Sequence, residues 1–278
     1  MRLATIAGGG AIVLWAFLGL LARAAATIPP LQLTAMSFAV AATIGLGVLA
    51  WRGRLGQLRQ APLAWAHGVA GLFGFHALYF AALAWAPAAE ANLINYTWPL
   101  LIVLLAAVLL RLKLRPRHLA GVALATAGCV SLLGANANLQ AAFLPGYLAA
   151  MASAVIWATY SVLARRFAAV PTGAVVGFCA ATAVLAALAH AAFEPTVMPD
   201  AQALMAALAM GLGPVGGAFF LWDIGMKRGD PRLLGTLAYA TPVASTLLLC
   251  AGGFAPFSTG LLASAALVAC GGLVAARA

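Results

Sequence analysis

Long apolar runs alternate with short polar interruptions at nearly even spacing from one end of the chain to the other. A helix needs about 20 mainly apolar residues to cross a hydrocarbon layer of about 30 Å, and in lipid only helices and closed barrels satisfy every backbone group. Ten runs reach that length: 4–23, 31–51, 62–86, 88–110, 117–135, 143–164, 172–193, 202–226, 232–253 and 258–276. Prolines stand at or near their boundaries, among them Pro30, Pro62, Pro87, Pro116, Pro145, Pro171 and Pro231, where a residue lacking an amide hydrogen starts or stops a helix. The pattern predicts an all-α integral membrane protein with connections too short to hold a soluble domain. The first run begins beside Met1 and outlasts the apolar region of a cleaved signal peptide, so it is expected to stay as a span.

The polar and aromatic positions inside the runs repeat. Asn92, Asn95, Tyr96, Thr97, Trp98 and Pro99 interrupt the fourth run, and 143 residues later Tyr239, Ala240, Thr241 and Pro242 interrupt the ninth. Val13, Trp15, Ala16, Leu21, Ala22 and Arg23 recur at a spacing of 142 as Val155, Trp157, Ala158, Leu163, Ala164 and Arg165. Gly68 and Gly74 recur at 143 as Gly211 and Gly217, with Gly71 replaced by Pro214 and Tyr79 by Trp222. Residues 1–136 and 137–278 are thus expected to form two repeats. Each holds five spans, an odd number, so the second lies inverted in the membrane, an arrangement typical of secondary transporters.

Charge gives the orientation. Of 15 Lys and Arg, all but Arg23 fall on one side of the ten-span layout: Arg2, Arg52, Arg54, Arg59, Arg111, Lys113, Arg115, Arg117, Arg165, Arg166, Lys227, Arg228, Arg232 and Arg277. Basic loops stay in the cytoplasm, so both termini are expected there. The net charge of +10 is then a topology signal and an attraction to anionic lipid headgroups, and nucleic acid is not an expected partner. Composition agrees: 65% hydrophobic and 7% charged residues, with a mean hydropathy of +1.06, exclude a water-soluble domain. Cys129, Cys179, Cys250 and Cys270 lie within apolar runs without metal or redox spacing and are expected to be buried.

Between two inverted halves, a ligand site is expected at mid-depth. Pro99 and Pro242 remove backbone donors there and should kink their spans, freeing carbonyls. His76 lies one turn before Tyr79 on the same helix face. The expected substrate-binding set is His76, Tyr79, Asn95, Tyr96, Trp98, Pro99, Trp157, Tyr160, Trp222, Tyr239 and Pro242, with Gly71, Gly74, Pro214 and Gly217 as gate or hinge positions. For any one ring or glycine, plain helix packing is an equal account. Trp51, Trp65 and Trp85 lie near span ends and are expected as interfacial anchors. Apart from Glu90, which begins the fourth span, Asp223 is the one carboxylate inside a span and is expected to pair with Lys227 one turn on. No metal-ligand spacing, P-loop or acid–base set is present, so neither an enzyme nor a resident metal or cofactor is expected.

Together the first-span run Ile12–Arg23 with Trp15, its copy ending at Arg165, the segments Tyr96–Pro99 and Tyr239–Pro242, and the run Leu119–Gly128 resemble the drug/metabolite transporter superfamily, specifically its EamA-like ten-helix exporters. The deep aromatics Tyr79, Tyr96 and Trp98, with Pro99, are most similar to the YddG-type aromatic amino acid exporters of bacterial inner membranes. The resemblance implies alternating access around a central cavity, with export of amino acids, aromatic ones first. Many relatives carry an acid at the end of the fourth span, where this chain reads Arg111, Leu112, Lys113 and Leu114, so that acid's role does not transfer. Other small metabolites or drugs as cargo, or a membrane enzyme or structural component on the same frame, are the alternatives.

Overall fold

The computed structural model describes residues 1–133, 139–254 and 256–278, and its described elements are all helical. They are α1 (Arg2–Ala16), α2 (Leu18–Ala24), α3 (Pro30–Trp51), α4 (Pro62–Val69), α5 (Phe75–Trp85), α6 (Ala88–Asn95), α7 (Trp98–Leu110) and α8 (Pro116–Leu133). Then come α9 (Leu144–Leu163), α10 (Ala174–Phe193), α11 (Ala201–Leu212), α12 (Ala218–Arg228), α13 (Pro231–Leu237), α14 (Ala240–Ala251) and α15 (Thr259–Ala276). Several of these join end to end. Among the described residues, nine such helices are long and apolar enough to cross a membrane. The expected span 117–135 corresponds to α8, which is not one of the nine; positions 134 and 135 lie outside the described residues.

Local sequence explains the ends. Proline begins α3, α4, α8 and α13, where its missing amide hydrogen leaves nothing unpaired. Asp200, Asp230 and Ser258 cap α11, α13 and α15 by accepting from backbone amides in the first turn. Arg111 ends α7 in a left-handed conformation, at φ 54°.

The interruptions are more informative than the ends. A single π-helical turn, Ala70–Gly74, joins α4 to α5, and a second, Gly213–Gly217, joins α11 to α12. Those turns, the pair α5 and α12, and the pair α8 and α15 each recur at a spacing of 143 residues. The expected kinks at Pro99 and Pro242 take a different form. Both prolines lie in the first turn of a new helix, and the breaks fall just before, at Tyr96–Thr97 and Ala238–Tyr239. A proline is tolerated there, so the chain stops one helix and starts another instead of bending one.

Packing crosses between the two halves of the chain in related pairs. α1 lies on α12 and α9 on α5; α7 lies on α9 and α14 on α1; α3 pairs with α10 and α8 with α15. Where α8 meets α15 the backbones touch: a methyl on Gly121 would come within 2.7 Å of the Gly271 carbonyl oxygen. The basic loops gather at one end. Arg166 donates to the Leu109 carbonyl at 2.8 Å, Arg232 to that of Lys113 at 2.8 Å, Arg165 to that of Gly229 at 3.2 Å and Arg117 to that of Arg277 at 3.0 Å. One expectation is corrected: Cys270 is exposed. Trp65, near a span end, is half-buried and meets Phe178 edge-on, with Gly177 leaving room for its ring.

Candidate functional site

Four indoles meet at the centre of the bundle. Trp15 from α1, Trp98 from α7, Trp157 from α9 and Trp222 from α12 lie within 5.0–6.4 Å of one another, ring centre to ring centre, in all six pairings. Each is at most 8% exposed. The breaks in the spans bring them there: α7 restarts at Trp98 directly after the Tyr96–Thr97 interruption, and the Trp15 indole donates to the Pro214 carbonyl in the second π turn at 2.9 Å. A π turn releases carbonyls from the helical ladder, and this one finds its partner across the halves.

Toward the end opposite the basic loops, the cluster continues as an aromatic wall with a polar rim. Phe75 lies 5.3 Å from Trp157 and stacks on Tyr79 at 5.8 Å. His76 sits edge-on to Phe38 and Phe75, each at 5.1 Å, with Phe219 at 6.2 Å. Its Nδ1 lies 2.7 Å from the Leu72 carbonyl, which only accepts, so Nδ1 carries the hydrogen and Nε2 is left as the acceptor of the neutral ring. The Tyr79 hydroxyl donates to Asn92, and Asn95 donates to Ser153 at 2.7 Å. His76, Tyr79, Asn92, Tyr96 and Thr97 remain half-buried. Neutral donors and acceptors beside flat apolar rings are the chemistry that a zwitterion with a ring-bearing side chain calls for.

Toward the basic end the same cluster is shut. Asp223 and Lys227 form an ion pair at 2.8 Å, each side chain 5% exposed. Thr172 donates to Asp223 at 2.7 Å, Lys227 to the Val170 carbonyl at 2.9 Å, and the Trp222 indole to Ser161 at 3.0 Å. The His67 ring is stacked between Tyr160 at 4.9 Å and Phe167 at 4.5 Å, joining α4 of one half to the other. The expected Asp223–Lys227 pairing is therefore present, with a depth of burial that makes both partners necessary.

The expected site residues divide accordingly. On the rim side Tyr79 reaches Asn92 and His76 lies among Phe38, Phe75 and Phe219, while Asn95 is buried against Ser153 and Tyr96 packs on the cluster around Tyr239. Trp98, Trp157 and Trp222 form the packed cluster, and Tyr160 lies in the closure. Tyr239 is 1% exposed and shares a 2.9 Å hydrogen bond with Thr126 on α8, away from the indoles; buried Pro99 and Pro242 lie in the first turns of α7 and α14. Gly71 faces Tyr160 so closely that an added methyl would overlap the ring, whereas Gly74 has 3.6 Å of room. Pro214 and Gly217 belong to the second π turn. Trp15, Phe38, Phe75, His67, Asn92, Ser153 and Phe219 were outside the expected set. Trp15 carried a signal, since it recurs as Trp157, and Asn92 lies in the polar stretch of the fourth run; the phenylalanines look like any apolar residue of a span.

A multi-pass bundle with a buried aromatic centre, one face closed by an ion pair and the other lined by half-buried polar side chains, is the frame of a membrane carrier. The chain belongs to the EamA-like transporter family, whose model matches it twice, over residues 3–134 and 144–276. It is 52% identical to the aromatic amino acid exporter YddG of Ancylobacter novellus, over 98% of this chain and 96% of that one. It is 27% identical to the aromatic amino acid exporter YddG of Salmonella typhimurium, over 98% and 96% of the two chains. A solved crystal structure with 51% identity superposes with a TM-score of 0.95, covering 99% of this chain and 98% of that one.

Proposed function

We propose that this chain is a secondary transporter of a bacterial inner membrane that exports amino acids, with Phe, Trp and Tyr preferred. The observation that carries the reading is the half-buried rim of His76, Tyr79, Asn92 and Tyr96 beside the ring wall of Phe75 and Trp157. The wall stacks the substrate ring; the rim binds its carboxylate and ammonium with neutral partners, so no fixed charge has to be desolvated as the site empties.

Ten spans are the proposed layout, with α8 completing the nine, as two inverted five-helix repeats, 1–136 and 137–278. The two matches of the family model, the recurrence of the π turns at 143 residues and the related helix pairings support this reading. The grouping of basic loops at one end supports a cytoplasmic location for both termini. Alternating access then means that the Asp223–Lys227 side, shut here, opens to load substrate from the cytoplasm while the rim side closes. The glycines of the π turns, Gly71, Gly74 and Gly217, and Pro214 are the positions where the spans flex.

Counterflow in proteoliposomes preloaded with Phe, Trp or Tyr tests the function. Exchange well above empty liposomes is expected, and its absence with folded protein sinks the reading. Tyr96→Ala and Trp98→Ala should each lower exchange at least tenfold; unchanged exchange would reduce that stretch to packing. Of the two carboxylates in spans among the described residues, Glu90 stands at the start of its span and Asp223 is bound to Lys227, so transport is proposed to be facilitated, without obligate proton coupling. Uphill transport driven by an imposed pH gradient and lost in His76→Gln would overturn that part.

A further inference from the structure

The α3–α10 pair is finished differently at its two ends. At the end away from the basic loops, Glu194 follows α10 and closes the seam. Its carboxylate accepts from the Leu31 amide at 2.9 Å and the Gln32 amide at 3.1 Å and lies 3.0 Å from His190. The Gln32 side chain adds bonds of 2.7 and 3.0 Å to the Val197 carbonyl and amide. At the other end, the position related to Glu194 by the 142-residue spacing is Arg52. At that end the seam is flanked by Arg52 and Arg54, and the nearest acid, Asp223, is bound by Thr172 and Lys227.

Between α3, α10 and the α11–α12 junction at that end lies an open groove of about 630 Å³. Arg52, Arg54 and Arg228 line its mouth, and their guanidinium groups take part in none of the hydrogen bonds or ion pairs among the described residues. The acids nearest in the fold are engaged, Asp223 by Lys227 and Asp230 by Arg232. Deeper in, the walls are apolar and outward-facing: Ile44 is 44% exposed, Val48 41% and Leu212 58%. Gly211 at the end of α11 and Gly216 and Gly217 of the second π turn complete the lining. One amphiphile matches that shape and charge, with an anionic head at the mouth and a hydrocarbon tail along the groove.

We propose that this groove binds one anionic phospholipid, its phosphate held by Arg52, Arg54 and Arg228 and an acyl chain lying against the Gly213–Gly217 turn. The leaflet, the cytoplasmic one, rests on the orientation proposed above; the binding does not. A soluble anion uses the arginines and leaves the apolar walls bare, and a zwitterionic lipid fills the walls and leaves the cations unmatched. The groove fits the lipid that does both. Because the tail touches the turn on which α12 pivots, the bound lipid meets the element carrying Trp222 and the Asp223–Lys227 pair.

Native mass spectrometry of the full chain in detergent, offered equal phosphatidylglycerol and phosphatidylcholine, decides it. One phosphatidylglycerol should be retained in preference. Arg52→Gln with Arg228→Gln should weaken retention by about 25-fold, at roughly fivefold per arginine, whereas the charge-matched Arg111→Gln with Lys113→Gln should not. Leu212→Trp narrows the apolar wall, keeps every arginine and should also lower retention. Equal retention of the two lipids, or equal loss in the two double variants, overturns the proposal, as does full retention in Leu212→Trp. All the substituted side chains are exposed or half-exposed, so folding is kept, and amino acid counterflow by the same preparations separates failure here from failure of the transport reading.

Discussion

The two faces of the tryptophan cluster are made from positions related by the same spacing, yet one is locked and the other is not. Asp223 and Lys227 close the basic face; the positions 143 residues earlier, on the rim face, are Phe80 and Ala84. Trp222, bonded to Ser161, corresponds to Tyr79, bonded to Asn92. Tyr160, pressed on Gly71 in the first π turn, corresponds to Leu18 at the 142-residue spacing of the first spans. Repetition therefore supplies the frame and the pivots, while individual substitutions decide which face holds by charge and which presents neutral polar groups to a ligand.

The largest effect should come from the lock. Asp223→Asn leaves Lys227 buried without a counter-charge and should cost about 3–5 kcal/mol, read as a drop in Tm in detergent. Joining it with Lys227→Met removes the stranded charge and should recover most of the loss. Phe80→Leu, at the related position on the other face, should cost less than ~1.5 kcal/mol. If Asp223→Asn and Phe80→Leu shift Tm alike, the faces do not differ as described.

The pivots come next. Gly71→Val forces a branched side chain into the Tyr160 ring and should cost about 1–3 kcal/mol, loosening the closure. Gly74 lies in the same π turn with 3.6 Å to its nearest neighbour, Ile156. Gly74→Ala should leave stability level or raise it by up to about 1 kcal/mol, through the entropy a helical glycine gives up on folding. Slower exchange in a fully stable Gly74→Ala would mark the turn as a hinge; unchanged exchange would leave these glycines as packing positions alone.

Much of this frame was legible in the sequence, because lipid permits so few solutions. Run length, boundary prolines and the repeated Trp15 and Trp157 each follow from constraints that act residue by residue. The interior of the site was less so. Trp98, Trp157 and Trp222 were expected in the binding set, and their packing on one another follows from which helices cross, something no single span encodes. His67 reads as an ordinary near-end histidine until Tyr160 and Phe167 arrive from the other half to enclose it. Tyr239 matches Tyr96 by spacing, but Thr126 on α8 turns its hydroxyl away from the indoles.

That last divergence gives a sharper test of the two faces of the repeat. Tyr239→Phe removes one neutral hydrogen bond and should cost about 1 kcal/mol with exchange unchanged. Tyr79→Phe removes a hydroxyl from the rim and should lower exchange severalfold with a smaller change in Tm. Reversed results would move the substrate to the second copy of the motif.

The smallest effect is a pH dependence outside the spans. Partial burial alone would raise the Asp230 carboxyl, but the hydrogen bonds and charge of Arg232, with the amides of Arg232 and Leu233, hold it below its ordinary value. A carboxyl lowered on folding contributes stability that is present in full above its unfolded value, about 3.9, and is lost as pH falls through the folded one. The pair is partly exposed, so its share should stay within about 1 kcal/mol. Asp230→Asn should thus lower Tm slightly at neutral pH and flatten the fall in Tm below pH ~4, relative to the wild-type chain. The buried Asp223–Lys227 pair sets the scale for comparison: the same acid-to-amide change, made where water cannot reach, should cost several times more. Equal losses for Asp223→Asn and Asp230→Asn at neutral pH would mean that the basic face is hydrated through to the tryptophans, and the lock would lose its meaning.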